Sequence, residues 1–169
     1  MKISLIVAIS ENGIIGKHGG GIPWKLKWDA EHFRSFTAGK WMLLGRKTYL
    51  EMEGWFTSQT PVVLTSQSDF PIFQKEHHRA VDIQEAIQLA SDAGADELVI
   101  SGGAQVYETA LPFVDEMFIT RVRERSETGV KFPPISSLDQ WETTELEFHP
   151  ADVDNSHDAS LEKMVRKNG

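Results

Sequence analysis

The sequence contains no cysteine among its 169 residues, which excludes disulfide bonds and thiolate metal ligands and is typical of a cytoplasmic protein. It also lacks any apolar run near the roughly 18 residues of a membrane helix, so we expect no membrane partner. Positive charge is scarce, with 17 Lys and Arg against 25 Asp and Glu, and the net charge of −8 disfavours nucleic acid as a partner. The six histidines show no metal-ligand spacing, so we predict no metal. An anionic ligand would therefore need local positive charge.

Short apolar runs alternate with segments of helical periodicity, which predicts one α/β domain over residues 1–169. The expected fold is a central, mostly parallel sheet of about eight strands with an antiparallel C-terminal edge, flanked by about four helices. The main predicted strands cover residues 3–9, 41–44, 61–64, 97–101, 116–122, 143–149 and 160–166. The predicted helices cover residues 28–38, 82–93 and 104–111, with a further helix starting near residue 46. Residues 70–78 are predicted to be irregular.

A carboxylate interrupts the apolar stripe of the first predicted helix. Asp29, Phe33 and Phe36 are spaced at i, i+4 and i+7, so they share one face of that helix. Burying a carboxylate costs several kcal/mol unless a hydrogen bond compensates for it. Asp29 is therefore either satisfied inside the protein or available to a ligand.

Two predicted strands run through glycine directly into a helix, once at Gly45 and once at Gly102-Gly103. Helix starts of this kind expose backbone N–H groups that bind anions, and basic residues follow Gly45. Each turn alone is equally well explained as a capped helix with solvated neighbours. The pair favours a ligand that carries phosphate groups, and Thr65 and Ser66 follow another strand at the same edge.

A glycine-rich loop runs from Ile14 to Gly21. Its glycines make the backbone flexible. Two interpretations stay open from the loop alone: a mobile surface segment, or a lid that closes over a bound ligand.

The order and spacing of several motifs resemble bacterial dihydrofolate reductases over nearly the whole chain. The motifs are Ile15-Gly16, Pro23-Trp24-x-Leu26-x-x-Asp29-x-x-x-Phe33, Gly45-Arg46-Lys47-Thr48, Leu64-Thr65-Ser66, Ser101-Gly102-Gly103-Ala104-Gln105-Val106-Tyr107, Phe118-Ile119-Thr120, Phe148-His149-Pro150-Ala151-Asp152 and Asn155-Ser156-His157. The resemblance implies a monomeric enzyme that uses NADPH to reduce 7,8-dihydrofolate to tetrahydrofolate.

The resemblance also implies roles for three catalytic residues. Asp29 would accept hydrogen bonds from N3 and the 2-amino group of the pterin, and it would favour protonation of N5 while hydride reaches C6. Thr120 would hydrogen-bond to Asp29 or to the pterin amino group, and Trp24 would hold an ordered water. Burial should raise the pKa of Asp29 more than its place in the first helical turn lowers it.

The remaining implied contacts fall into two groups. Those to the substrate are Val7, Ala8, Ile22, Leu26, Ala30, Phe33, Met52 and Gln59. Those to the cofactor are Ala8, Ile15, Gly16, Gly45, Arg46, Lys47, Thr48, Thr65, Ser66, Ser101, Gly102, Gly103, Ala104, Gln105, Val106 and Tyr107. In this reading the loop of residues 16–21 is the lid, and Gly102-Gly103 is the place of a cis peptide.

Gln59 departs from the family pattern, because it stands where the family has an arginine that binds the α-carboxylate of the substrate's glutamate tail. A neutral amide binds a carboxylate more weakly than a bidentate arginine does. Either Arg34 or Lys40 compensates, or the substrate is a dihydropterin without that tail, such as dihydromethanopterin. A non-catalytic protein that binds pterins or nucleotides is a further alternative.

Overall fold

The structure is a computed structural model that describes residues 1–168. Its strands are β1 (Lys2–Ser10), β2 (Ile14–Gly16), β3 (Trp41–Gly45), β4 (Thr60–Leu64), β5 (His78–Ala80), β6 (Glu97–Ile100), β7 (Glu116–Val122), β8 (Val130–Lys131), β9 (Trp141–His149) and β10 (Ala159–Arg166). Its α-helices are α1 (Lys27–Thr37), α2 (Arg46–Glu51), α3 (Ile83–Asp92) and α4 (Ala104–Ala110). None of the helices within residues 1–168 is both long and apolar enough to cross a bilayer.

One sheet organises the molecule, with eight strands in the order β5-β4-β3-β6-β1-β7-β10-β9 among the described residues. The strands from β5 to β7 run parallel, whereas β10 is antiparallel to both β7 and β9. The predicted α/β architecture with an antiparallel C-terminal edge is therefore confirmed. Because β1, β3, β4 and β6 are parallel, their carboxyl ends meet at one edge of the sheet.

Apolar side chains cover both faces of the central strands. Alternate residues of β3 divide between the faces: Leu43 packs into one cluster, and Met42 and Leu44 pack into another. The first cluster includes Ala86 and Ala90 of α3, whose small side chains allow the helix to approach closely. Burial on both faces explains why these strands are continuous apolar runs rather than alternating ones.

The helix that carries Asp29 lies within one residue of its predicted bounds, but its N-terminus is stabilised from a distance. Leu26, the residue just before the helix, has no side chain that can cap it. Instead, the backbone N–H of Trp28 donates to Oδ1 of Asn155 over 2.9 Å. The C-terminal segment therefore helps to hold the first turn of α1 in place.

Two short strands correct the sequence-based expectations. The loop prediction was wrong for residues 14–16, which form β2 and pair with β8. A Cβ on Gly129, just before β8, would lie 2.6 Å from the carbonyl oxygen of Gly16, so this close pairing requires glycine. The segment predicted as irregular, residues 70–78, ends in β5, which pairs with β4. Strands of two or three residues leave too little alternation to recognise.

An ion-pair network joins the amino ends of the parallel strands. Lys2 and Lys163 lie 2.8 and 3.0 Å from the carboxylate of Glu116. Burial opposes ionisation of Glu116, but the hydrogen bonds from the two lysines outweigh it and hold the pKa of Glu116 below its ordinary value.

We predict that Glu116→Gln lowers the free energy of unfolding at pH 7 by about 1–2 kcal/mol, because two ion pairs are lost while the lysines stay partly solvated. The depressed pKa means that this contribution exists above the ordinary pKa of 4.5 and disappears as the pH falls through the folded-state value. Urea unfolding at pH 7 and in the acidic range measures the difference. The exposed Glu142→Gln serves as the control, and an equal loss in both variants would contradict the prediction.

Candidate active site

A large cleft opens at the carboxyl ends of the parallel strands. Its volume is about 1450 Å³, more than the roughly 300–1,000 Å³ that one drug-sized ligand occupies. The walls come from β1, α1, α2, α4 and the ends of β3, β4 and β6. The cleft therefore has room for two ligands side by side.

Asp29 lies in the first turn of α1 at one end of this cleft. The hydroxyl of Thr120, which is 2% exposed on β7, donates to Oδ1 of Asp29 over 2.6 Å. Oδ2 receives no hydrogen bond within residues 1–168. One oxygen of the carboxylate is thus held by the protein, and the other is available to a ligand.

Burial raises the pKa of Asp29 above its ordinary value. The hydrogen bond from Thr120 and the nearby His32 act in the opposite direction without reversing the shift. The upward direction agrees with the expectation that burial raises the pKa of Asp29. A carboxyl group with a raised pKa beside an apolar cleft is characteristic of a functional site.

The residues predicted to contact the substrate line the cleft around Asp29, with the exception of Gln59. Trp24 and Leu26 are buried and pack against Val122 and Ala159. The complete set on the cleft surface is Val7, Ala8, Ile22, Trp24, Leu26, Ala30, Phe33 and Met52. These side chains make the Asp29 end of the cleft predominantly apolar.

Gln59 does not reach the cleft. It is buried, and its side-chain oxygen accepts hydrogen bonds from the backbone N–H groups of Thr57 and Ser58 at 3.0 and 3.2 Å. Its amide nitrogen points towards Oγ1 of Thr37 at 3.5 Å. The placement of Gln59 therefore contradicts the prediction that it contacts substrate, because its polar atoms are used inside the protein.

Beyond the apolar end of the cleft, two helices that each begin directly after a glycine lie next to each other. The N–H of Gly45 donates to the carbonyl of Gly102 over 2.8 Å, which joins the turn before α2 to the turn before α4. The Gly102-Gly103 peptide is cis, as the family resemblance implies. The predicted cofactor residues that line this part of the cleft are Ala8, Ile15, Gly16, Gly45, Arg46, Lys47, Thr48, Thr65, Ser66, Ser101, Gly102, Gly103, Ala104, Gln105, Val106 and Tyr107.

The glycine-rich loop lies over the cleft. A turn closes between the N–H of Lys17 and the carbonyl of Gly21 at 2.9 Å, and Gly20 has a φ of 103° that favours glycine. The ammonium group of Lys47, on α2, donates to the carbonyl of His18 over 3.2 Å. This contact across the cleft supports the lid interpretation over that of a free surface loop.

Val81 and Asp82 also line the cleft, although the sequence did not predict them as site residues. They follow β5, which the sequence analysis missed. Recognition of β5 as a strand beside β4 would have placed both residues next to Ser66, at the ligand-binding edge of the sheet.

One end of the cleft holds a partly buried carboxylate, and at the other end two helices each begin directly after a glycine. These features define a class of α/β protein that binds a phosphate-bearing ligand beside a second, more apolar one. Comparison with known proteins identifies the family. The family profile described as dihydrofolate reductase matches residues 2–166. The chain therefore belongs to the dihydrofolate reductase family.

Individual relatives cover almost the full chain. Dihydrofolate reductase type 3 from Salmonella typhimurium is 33% identical over 168 residues, with 99% of each chain covered. Dihydrofolate reductase from Staphylococcus haemolyticus is 32% identical over 158 residues, which cover 94% of this chain and 92% of the relative. The solved structure of Enterococcus faecalis dihydrofolate reductase, complexed with NADP(H) and RAB-propyl, is similar with a TM-score of 0.84 and 28% identity, covering 99% of this chain and 97% of that one.

We predict that Asp29→Asn stabilises the protein at neutral pH. The folded-state pKa of Asp29 is raised above its ordinary 3.8, so the ionised carboxylate opposes folding and stability is lost as the pH rises through this range. The neutral amide removes that penalty and can still accept from Thr120. Chemical denaturation should show the variant to be the more stable protein at pH 7, with the difference fading below pH 3.8. The exposed Asp69→Asn should show no such gain, and a destabilised Asp29→Asn protein at pH 7 would contradict the prediction.

Proposed function

We propose that this protein catalyses the NADPH-dependent reduction of 7,8-dihydrofolate to 5,6,7,8-tetrahydrofolate. The observation that carries the proposal is the Asp29–Thr120 hydrogen bond, which holds a partly buried carboxylate at the apolar end of a cleft large enough for two ligands. Membership of the dihydrofolate reductase family supports the same activity.

Asp29 binds and orients the pterin. Its carboxylate accepts hydrogen bonds from N3–H and the 2-amino group, two neighbouring donors that match two carboxylate oxygens. The donation from Thr120 fixes the position of Oδ1 and leaves Oδ2 exposed to the ligand. The negative charge of Asp29 in an apolar wall favours a proton on N5 of the pterin, which makes C6 a better hydride acceptor.

The residues at the other end of the cleft fit a dinucleotide. Gly102 and Gly103 have no side chains, so phosphate groups can approach the backbone at the start of α4. Arg46 and Lys47 supply local positive charge for these groups in a chain of net charge −8. When bound, NADPH would supply the hydride that adds to C6 of the pterin. Ala8 and Ile15 would form the apolar wall for a nicotinamide ring, between the two ends of the cleft.

The lid would exclude bulk water from the reacting atoms, which leaves the ordered water that Trp24 would hold to deliver the proton to N5. Lys47 holds the lid backbone at His18, and Trp24 closes the adjacent wall with 9% of its surface exposed. Water exclusion strengthens the electrostatic effect of Asp29 on N5. All groups of the proposed site come from one chain, so we expect a monomer to be active. The cytoplasmic location expected from the sequence stays a prediction.

Residue 59 is a buried glutamine and supplies no positive charge. The glutamate tail of dihydrofolate therefore requires a cation from another residue. Lys40 is engaged elsewhere, since its ammonium group lies 2.8 Å from Glu97. Arg34 remains: its guanidinium carbon lies 4.4 Å from the centroid of the ring of Trp55, and Trp55 lines the cleft. Stacking on an aromatic ring orients the guanidinium plane, so Arg34 is the group that we assign to the α-carboxylate.

We predict that the purified protein oxidises NADPH when dihydrofolate is added, and that Asp29→Asn lowers kcat/KM by about 10²-fold or more. NADPH affinity should stay nearly unchanged, because Asp29 lies at the pterin end of the cleft. Nicotinamide absorbance measures turnover, and fluorescence titration measures NADPH binding. Binding of NADPH without turnover of dihydrofolate, or equal losses of turnover and NADPH affinity in the variant, would contradict the proposal. The exposed Asp69→Asn is the matched control.

We predict that Arg34→Gln raises KM for dihydrofolate by about three- to tenfold, the usual effect of removing one partly exposed charge pair. A dihydropterin without the glutamate tail should show no change in KM. Steady-state kinetics with both substrates, and Arg125→Gln as a control for lost surface charge, test the assignment. Equal KM changes for both substrates would show that Arg34 does not bind the tail. Turnover of the tail-less substrate alone would favour a different dihydropterin.

A further inference from the structure

Three neighbouring strands end in register at the far end of the cleft from Asp29. Gly45 of β3 pairs with Leu64 of β4, and Leu64 in turn pairs with Ala80 of β5. The N–H of Thr65 donates to the carbonyl of Ala80 over 2.8 Å, which extends the pairing by one residue. Each of these paired strand ends is followed, within two residues, by a polar residue that lines the cleft: Arg46, Ser66 and Asp82. Since adjacent strands are about 4.8 Å apart, these three residues lie at neighbouring strand ends along one edge of the cleft.

The Asp82 carboxylate is held in place by the start of α3. Its Oδ1 accepts from the backbone N–H of Glu85 over 2.8 Å, the hydrogen bond of a helix N-cap. The side chain of Glu85 reaches back and accepts from the N–H of Val81 over 2.6 Å. The negative charge of Asp82 is therefore a fixed part of the cleft wall, with a second carboxylate behind it.

The cation at this end of the cleft is not neutralised by that carboxylate. Arg46 is exposed, and it forms no salt bridge within residues 1–168. The two groups thus present opposite charges to whatever occupies the cleft between them. A 2′-phosphate on the adenosine ribose would be attracted by Arg46 and repelled by Asp82. A ribose 2′-hydroxyl would lack the first interaction but could donate a hydrogen bond to the carboxylate, as acidic residues do in proteins that use NAD.

We propose that Asp82 is a specificity-determining residue that weakens the preference of the cleft for the 2′-phosphate, so that NADH serves as a second hydride donor beside NADPH. The inference rests on the proposed function, because it assigns the far end of the cleft to the adenosine of the cofactor. The hydride added to C6 and the proton added to N5 are the same with either donor, which ends as NAD⁺ or NADP⁺.

The variant Asp82→Asn separates charge from helix capping, because asparagine caps a helix as well as aspartate does. Adenosine 2′,5′-bisphosphate and AMP differ only in the 2′-phosphate, and their binding does not require turnover. Calorimetry should show that Asp82→Asn binds the bisphosphate about three- to tenfold more tightly, the effect of one charge at several ångströms near a protein surface. AMP affinity should not rise. The ratio of kcat/KM for NADPH to that for NADH should increase by the same factor.

The matched control is Asp92→Asn, which removes one negative charge from the opposite end of α3. Equal changes for both nucleotides, no change for the bisphosphate, or the same gain in Asp92→Asn would overturn the inference while leaving the reductase assignment intact. Failure of the unchanged protein to bind either nucleotide would overturn the inference together with the proposed function. An unchanged melting temperature in Asp82→Asn confirms that the cap is retained.

Discussion

The hydrogen bond from Thr120 to Asp29 is the interaction on which the proposed site depends. It joins the central sheet to the first turn of α1 over 2.6 Å and satisfies one oxygen of a carboxylate that burial destabilises. Asn155, from the C-terminal segment, holds the same helical turn through the N–H of Trp28. Two remote parts of the chain therefore determine where one charge lies, and its proposed role in binding the pterin gives the reason why the energetic penalty of that charge is retained.

Different kinds of side chain lie at different strand ends along the carboxyl edge of the parallel sheet. The end near β1 and β7 is mostly apolar around Asp29, whereas the strands from β6 to β5 end in glycines, hydroxyls and charged side chains. Neighbouring strands are spaced at about 4.8 Å, so an extended ligand meets a new strand end at each step. In the proposed function, the order of the strands thus sets the order of the chemical groups: pterin at one end, phosphates in the middle and ribose at the other.

Sequence patterns predicted the parts of the site that depend on local structure. The i, i+4 spacing of Asp29 and Phe33 marked a carboxylate on an apolar helical face, and the turn at Gly45 marked a helix start at the end of a strand. Gln59 and Asp82 show the limit of this approach. Gln59 occupies a position that the family uses for substrate, yet its side chain turns inward because two backbone N–H groups bind its oxygen. Asp82 was predicted only as the first residue of a helix.

The sequence by itself determined the fold class, the helix that carries Asp29 and the glycine turns, because these depend on periodicity and on backbone preferences that act over a few residues. Only the tertiary structure decided which groups meet. Thr120 lies 91 residues from Asp29 along the chain. Asp82 joins Arg46 and Ser66 only through the register of β3, β4 and β5. Register and burial arise from packing between distant segments, and the short β5 carries too few residues for a pattern to reveal its partner.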